Sequence, residues 1–204
     1  GPFTMSQQAQ NDHYATVDEA ALDYAIAVNA EIRDLFAAGA DVVQIDEPYL
    51  QARPAEARRY GVAVLTRALE GITGTTAVHI CFGYAAIIHE RPTGYSFLAE
   101  LAAAPCAQIS VETAQSKLDP QQLAALGDKQ IMVGCLDLSD PAIESPEKIA
   151  NRVRRALTVL APERVILAPD CDGTVRCRWD SIGGRGICGV VQDVLRHFHE
   201  GGEQ

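Results

Sequence analysis

The amino-acid sequence predicts an α/β fold, a (β/α)8 TIM barrel, on three observations. Short β-branched runs alternate with amphipathic helical stretches, which is typical of parallel strands joined by helices. Polar or metal-binding residues stand at the end of nearly every predicted strand. A doubly wound sheet concentrates its site at one switch point, whereas a barrel uses the carboxyl ends of many strands, so this distribution favours the barrel.

The first predicted helix covers about residues 17–38. Thr16 and Glu19 form a capping box at its start, in which each side chain can bond a free backbone N–H of the first turn. Apolar residues then recur at helical spacing, which predicts one buried face made of Leu22, Ile26, Ala30, Ile32 and Leu35.

Strands and helices alternate over the rest of the chain. The strands are predicted at about residues 41–46, 75–81, 108–112, 130–137 and 164–169. The further helices are predicted at about residues 55–70, 94–104, 120–127, 146–160 and 187–199.

The length of the chain predicts one domain, residues 1–204, that forms part of a barrel. Five complete strands are predicted, and Gly1 to Thr4 look like the end of another strand. A whole barrel takes about 250 residues. We therefore expect a single catalytic barrel domain that contains about strands 3 to 8 and lacks the N-terminal strands.

Composition argues against several classes of partner. The formal charge of −10, with acidic and basic residues interspersed, is unsuited to binding nucleic acid. No stretch approaches the roughly 18 apolar residues of a membrane-spanning helix. The first residues lack the basic and apolar regions of a signal peptide. We expect a soluble cytoplasmic protein without a membrane partner, whose six cysteines are reduced.

Four side chains at strand ends form a candidate metal site. His79 and Cys81 are two residues apart on one strand, so they lie on the same face. Glu112 closes a mostly apolar run, where an isolated charge would be costly to bury. Cys171 follows the last predicted strand, which a closed barrel brings round beside the earlier ones. We therefore expect the four side chains to converge.

One imidazole, two thiolates and a carboxylate suit tetrahedral Zn²⁺ better than Mg²⁺ or Ca²⁺, which prefer oxygen ligands. The site would carry a net charge of about −1. Zinc with such electron-rich ligands is poor at making hydroxide, but it can keep a thiol ionised and nucleophilic. The pattern predicts activation of a substrate thiol, with Glu112 as the ligand that this thiol displaces.

Six short strings at the strand ends carry a family resemblance. They are Gly1-Pro2-Phe3-Thr4, Gln44-Ile45-Asp46-Glu47-Pro48, His79-Ile80-Cys81, Ile109-Ser110-Val111-Glu112-Thr113, Gly134-Cys135-Leu136-Asp137 followed by Pro141, and Pro169-Asp170-Cys171. In their order and spacing they resemble the C-terminal catalytic barrel of cobalamin-independent methionine synthases. The resemblance implies a zinc-dependent methyltransferase that transfers a methyl group to homocysteine to form methionine. It also implies that the four residues of the candidate site bind the metal and that Asp46 holds the amino group of the substrate.

Three positions depart from the family pattern. Ser139 stands where the family has a histidine thought to donate a proton, and a hydroxyl cannot replace an imidazole as an acid near neutrality. Gln8 and Ala52 stand at the positions of the family's folate-contacting Trp and Glu. The sequence past Cys171 no longer follows the family. Neither the methyl donor nor the proton donor is therefore identified.

Simpler interpretations of some of these residues stay open. Asp46 and Glu47 could cap the helix that follows them, and Asp137 and Asp170 could act in the same way. The four remaining cysteines are expected to be ordinary core or surface residues: Cys106, Cys135, Cys177 and Cys188.

Three functions remain in competition. The first is zinc-dependent methyl transfer to homocysteine from an unidentified donor. The second is a related zinc-dependent thiol alkyltransferase or carbon–sulfur lyase acting on another thiol, indicated by Ser139, Gln8 and Ala52. The third is a non-catalytic partial barrel, whose exposed sheet edges would promote self-association or require a complementary segment.

Overall fold

A five-stranded parallel sheet forms the centre of the molecule. The computed structural model describes residues 1–82, 94–116, 118–137 and 142–171. The strands are β1 (Val42–Asp46), β2 (Thr75–Ile80), β3 (Gln108–Glu112), β4 (Gln130–Leu136) and β5 (Val165–Pro169). They lie in the order β1-β2-β3-β4-β5, and every neighbouring pair is parallel. This order has no reversal, as in consecutive barrel strands and unlike a doubly wound sheet.

All five predicted strands are confirmed to within one residue at each end. Both faces of the sheet are covered, since every residue of β3 is buried and so are five of the six residues of β2. Parallel strands buried on both faces consist of nearly continuous apolar residues, and this is the pattern from which they were predicted.

The helices are shorter and more irregular than the sequence predicts. The helix expected over about residues 55–70 is confirmed as a continuous helical stretch over residues 54–68, in which a π-helix at Ala57–Gly61 interrupts the α-helical hydrogen bonding. Arg53 separates this stretch from the helix before it, because the residue before a proline is driven away from helical geometry, and Arg53 has φ −131°. The helix expected at about 187–199 lies outside the described residues. The helices are α1 (Pro2–Gln8), α2 (Val17–Ala37), α3 (Pro48–Ala52), α4 (Pro54–Glu56), α5 (Val62–Ala68), α6 (Leu98–Leu101) and α7 (Pro146–Leu157), with a π-helix at Ala57–Gly61 and 3-10 helices at Pro120–Leu126 and Pro162–Arg164.

The start of the chain is helical, and the prediction that Gly1 to Thr4 end a strand is wrong. Pro2 lies in the first turn of α1, where a backbone N–H would have no acceptor within the helix, so the N–H that proline lacks costs no hydrogen bond. The buried carboxylate of Glu47 accepts hydrogen bonds from the backbone N–H of Phe3 at 2.9 Å and of Thr4 at 2.7 Å. Glu47 therefore caps α1 and not the helix that follows it, and burial raises its pKa.

The predicted capping box of α2 is confirmed, but its predicted buried face is confirmed only at Ile32. The Thr16 hydroxyl accepts from the N–H of Glu19, and the Glu19 carboxylate accepts from the N–H of Ala15. Leu22 is 39 % and Ile26 47 % exposed. The helix instead packs against α1 and α5 through small residues, which permit close approach of the backbones. Its buried residues are Ala20, Ala21, Ala25 and Ile32.

Within the described ranges, no helix is both long enough and apolar enough to cross a membrane.

Candidate metal centre

The four predicted metal ligands converge at the carboxyl edge of the sheet. His79 lies in β2 and Cys81 directly follows that strand, while Glu112 ends β3 and Cys171 lies just beyond β5. One ligand atom from each of the four side chains lies within 4.8 Å of the others. We refer to His79, Cys81, Glu112 and Cys171 as the metal cluster.

The metal cluster is largely shielded from solvent. His79 is 3 % and Glu112 2 % exposed, Cys81 is buried, and Cys171 is half-buried. Removing polar groups from water is costly unless they gain partners, and grouping a carboxylate with two thiol groups adds repulsion when they ionise. A shared cation would offset both costs, so the arrangement is one that could hold a metal ion.

His79 is oriented for this role by its neighbour on β3. Its Nδ1 lies 2.9 Å from the hydroxyl oxygen of Ser110, the residue with which it pairs in the strand register. Its Nε2 is buried and makes no hydrogen bond within the part of the chain that the structure describes. With Nδ1 engaged, Nε2 is the nitrogen available to a metal ion.

The electrostatic environment of His79 favours positive charge. Burial by itself would lower the pKa of the imidazole, but Cys171, Asp46 and Glu112 outweigh it and raise the pKa above its ordinary value. The same negative surroundings that favour an imidazolium would also favour a bound cation.

Asp170 organises the loop that follows Glu112. Its carboxylate accepts hydrogen bonds from three successive backbone N–H groups, those of Thr113 at 2.9 Å, Ala114 at 3.0 Å and Gln115 at 2.6 Å. Burial raises the pKa of Asp170 to about 7, while the three N–H donors oppose that change. Asp170 thus connects the loop after Glu112 to the segment that carries Cys171. It does not cap a helix.

Gly134 makes room for this arrangement. A Cβ atom at this position would lie 2.7 Å from the Cα of Asp170 and 2.8 Å from the carbonyl oxygen of Val111. Both atoms belong to the backbone and cannot move aside as a flexible side chain would. The glycine in the Gly134-Cys135-Leu136-Asp137 string is therefore required for close packing of β3, β4 and the end of β5.

Asp46 lies beside the metal cluster, because it ends β1 and pairs in register with His79. Its side chain is exposed and accepts a hydrogen bond from the Gln44 amide at 2.9 Å. The interpretation of Asp46 as a helix cap does not hold, since α3 has no side-chain cap. An exposed carboxylate at this edge is accessible to a ligand.

The remaining predicted positions lie apart from the cluster or outside the described residues. Gln8 and Ala52 are exposed at the ends of α1 and α3. Cys106 and Cys135 are core residues, as predicted, and burial raises the pKa of both thiols, that of Cys135 to about 11. Ser139, Cys177 and Cys188 are not among the described residues.

Sequence reasoning identified the cluster but missed the residues that position it. Ser110 carries no signal of its own, since a serine in a strand is ordinary, and its contact with His79 depends on the register between β2 and β3. The sequence gives no sign that Asp170 binds the loop after Glu112, because the three amides that it binds lie 55 to 57 residues earlier in the chain.

Comparison with known proteins agrees with this architecture. The family model described as cobalamin-independent synthase, catalytic domain, matches residues 1–181. The match extends beyond Cys171, so the expectation that the likeness ends there is wrong. A methionine synthase of Saccharolobus islandicus strain L.S.2.15 is 32 % identical over 174 residues, and one of Sulfurisphaera tokodaii is 28 % identical over 172 residues. These alignments cover 84 % of this chain but 49 % and 48 % of the relatives, so the chain spans about half their length.

Solved structures show the same fold. The B12-independent methionine synthase of Shewanella sp. W3-18-1, in complex with selenomethionine, superposes with a TM-score of 0.87 at 28 % identity, covering 98 % of this chain and 60 % of that one. A methyltransferase from Methanosarcina mazei gives a TM-score of 0.61 at 19 % identity, covering 89 % of this chain and 50 % of that one, which is a likeness of fold. The five strands are thus part of a TIM barrel. The chain belongs to the catalytic-domain family of cobalamin-independent methionine synthases.

Proposed function

We propose that this chain is the zinc-binding part of a methyltransferase that methylates the thiol of homocysteine to give methionine. The observation that carries the proposal is the convergence of His79, Cys81, Glu112 and Cys171, from three strand ends, in a chain of this family. The four side chains are proposed to be the metal ligands.

The donor set and its spacing fit zinc. Bonds of about 2.3 Å to sulfur and about 2.0–2.2 Å to nitrogen or oxygen place tetrahedral ligands roughly 3.3–3.8 Å apart. Donor atoms within 4.8 Å of one another need only a small contraction to reach that spacing. When bound among two thiolates and a carboxylate, zinc supplies a positive charge that keeps a substrate thiol ionised at neutral pH.

The chain's own residues account for the placement of the substrate. Asp46 lies at the same sheet edge as the cluster, exposed, and its carboxylate is proposed to bind the amino group of homocysteine. The complex of the Shewanella relative with selenomethionine supports an amino-acid site of this kind. Methyl transfer forms a bond from sulfur to the methyl carbon, breaks the bond from that carbon to the donor, and releases the thiol proton.

A related reaction on another thiol is the second candidate. It is favoured by Gln8 and Ala52, which stand where the family contacts folate. The Ala52 methyl group cannot bond a donor molecule as a carboxylate would. A different methyl donor, a different thiol acceptor or a carbon–sulfur lyase would all be consistent with these changes.

The test is an assay of methionine formation by the purified, zinc-loaded chain with homocysteine and, in turn, methyl-folate and other methyl donors. We expect methionine with at least one donor, and loss of product in Cys81→Ser. Cys106→Ser is the matched control, because it changes a buried cysteine outside the cluster and should retain activity. Product from another thiol but none from homocysteine would favour the second candidate, and no product with any pair would contradict both.

A further inference from the structure

The hydroxyl of Tyr95 joins the ends of two strands of the metal centre. It donates a hydrogen bond to the carbonyl oxygen of Ile80 at 2.9 Å and accepts one from the backbone N–H of Glu112 at 2.8 Å. Ile80 directly precedes Cys81. One buried side chain therefore bonds the backbone between His79 and Cys81 and the backbone of Glu112.

This bridge lies where the ordinary strand pairing stops. The register between β2 and β3 ends at the pair Ile80 and Val111, so Cys81 and Glu112 lie just past the last paired residues. Strand ends without ladder bonds are free to separate unless another group joins them. The Tyr95 hydroxyl supplies that connection.

Tyr95 is itself held in place by contacts on two sides. Its ring stacks on Phe82, with centroids 4.3 Å apart and planes at 28°. Its backbone N–H donates to the Gln122 side chain at 3.1 Å. A group fixed in this way transmits a defined separation to the two strand ends that it bonds.

We propose that Tyr95 is a positioning residue that sets the separation of Cys81 and Glu112 and thereby the affinity of the site for zinc. The inference rests on the metal centre proposed above. A buried tyrosine hydroxyl usually finds some partner. What distinguishes Tyr95 is that its two partners belong to the segments that carry three of the four cluster residues, His79, Cys81 and Glu112.

Tyr60 provides the comparison within the same chain. It is also buried, and its hydroxyl accepts a hydrogen bond from the Gln7 side chain. Its ring packs against Phe3, in α1 and not at the metal cluster. Tyr60→Phe removes a hydrogen-bonded tyrosine hydroxyl, as Tyr95→Phe does, but away from the proposed ligands.

The test is competition for Zn²⁺ between a chromophoric chelator and the wild-type chain, Tyr95→Phe or Tyr60→Phe. Loss of the partners that orient metal ligands weakens metal binding by about 10–100-fold. We expect a loss of this size in Tyr95→Phe and wild-type affinity in Tyr60→Phe. The visible spectrum of Co²⁺-loaded Tyr95→Phe should also change, which a purely structural role away from the ligands would not cause.

The outcomes separate this inference from the metal centre itself. A wild-type chain that binds no zinc would defeat the metal centre. Zinc binding by the wild type with equal affinity in Tyr95→Phe would overturn the role of Tyr95 alone, and so would equal losses in both tyrosine variants. If Tyr95→Phe does not fold, Gln122→Ala replaces it, since it removes the support of the Tyr95 backbone but keeps the hydroxyl. Weaker zinc binding there supports the inference, and unchanged binding overturns it.

Discussion

His79 shows how one side chain is prepared for metal binding by its surroundings. Ser110 engages Nδ1, which fixes the ring orientation and leaves the buried Nε2 as the nitrogen available to a metal ion. Histidine ligands commonly depend on such a partner for both tautomer and orientation. The affinity of the site therefore depends on residues that do not contact the metal.

We expect Ser110→Ala to weaken zinc binding by about 10-fold or more, because the ring loses the partner of Nδ1. Equilibrium dialysis at a fixed free zinc concentration measures this. Ser6→Ala is the matched control, since Ser6 is a buried serine of α1 whose hydroxyl bonds the Phe3 carbonyl. An affinity in Ser110→Ala equal to that of the control would contradict this role.

At the scale of single residues, the sequence was sufficient to predict the proposed ligands but not the residues that hydrogen-bond to them and orient them. Two residues at spacing i and i+2 share a strand face whatever the register, so the spacing alone predicts that His79 and Cys81 lie on the same face. The contact between His79 and Ser110 depends on how two strands 31 residues apart align. Sequence alone does not determine that alignment.

The entry to α7 contains an ion-pair network that ties a strand end to a helix. Arg152 binds both oxygens of Glu144 at 2.7 Å and also donates to the Cys135 carbonyl oxygen. Glu144 accepts in addition from the N–H of Asp137 at 2.9 Å and from Lys148 at 2.7 Å. Burial would raise the pKa of Glu144, but Arg152, the Asp137 N–H and Lys148 together lower it to about 2.

This network predicts a pH-dependent contribution to stability. The pKa of Glu144 is about 4.3 in an unfolded chain, so between about pH 2 and 4.3 the unfolded state binds more protons. The contribution is therefore complete above this window and is lost as the pH falls through it. We expect Glu144→Gln to lower the free energy of unfolding by about 1–2 kcal/mol at pH 7, allowing for solvent screening.

Urea unfolding of wild type and Glu144→Gln between pH 7 and pH 3 measures this difference, which should shrink below about pH 5. Glu147→Gln is the matched control, because Glu147 forms an exposed pair with Arg154 and should change stability little. A difference between wild type and Glu144→Gln that stayed constant down to pH 3 would contradict the assignment.

At the scale of elements, strands were predicted better than helices. Buried parallel strands are determined by their own apolar runs, whereas α1 depends on Glu47, a residue more than 40 positions away. Most of the buried face of α2 was wrongly predicted, because that face also depends on contacts with distant elements. Its alanines pack closely on α1 and α5, and hydrophobic periodicity gives more weight to Leu22 and Ile26 than to alanines.

At the scale of the whole molecule, the sequential order of five parallel strands distinguishes the barrel from a doubly wound sheet. The barrel was predicted correctly because functional residues at many strand ends are a property of the topology. This signal does not depend on predicting each helix correctly. The single domain over residues 1–204 stays a prediction. In the sheet β5 pairs with β4, yet Cys171 just beyond β5 lies with the cluster residues at the ends of β2 and β3, as the closing of a barrel requires.

The exposed edges of the sheet predict that the 204-residue chain self-associates. Within the described ranges, β1 and β5 each bond one neighbouring strand, and Val42 of β1 is 45 % exposed. Uncovered sheet edges promote pairing between chains. We expect this chain, purified alone, to self-associate with rising concentration in sedimentation velocity experiments. A monomer at every concentration that also unfolds cooperatively would count against this.

The central claim is that four side chains, separated in sequence, bind one zinc ion. The most direct test is X-ray absorption spectroscopy at the zinc edge on the zinc-loaded chain. The account predicts two sulfur scatterers at about 2.3 Å and two nitrogen or oxygen scatterers at about 2.0–2.2 Å. A shell of oxygen and nitrogen alone, or a shell with two sulfurs that persists in Cys171→Ser, would contradict it.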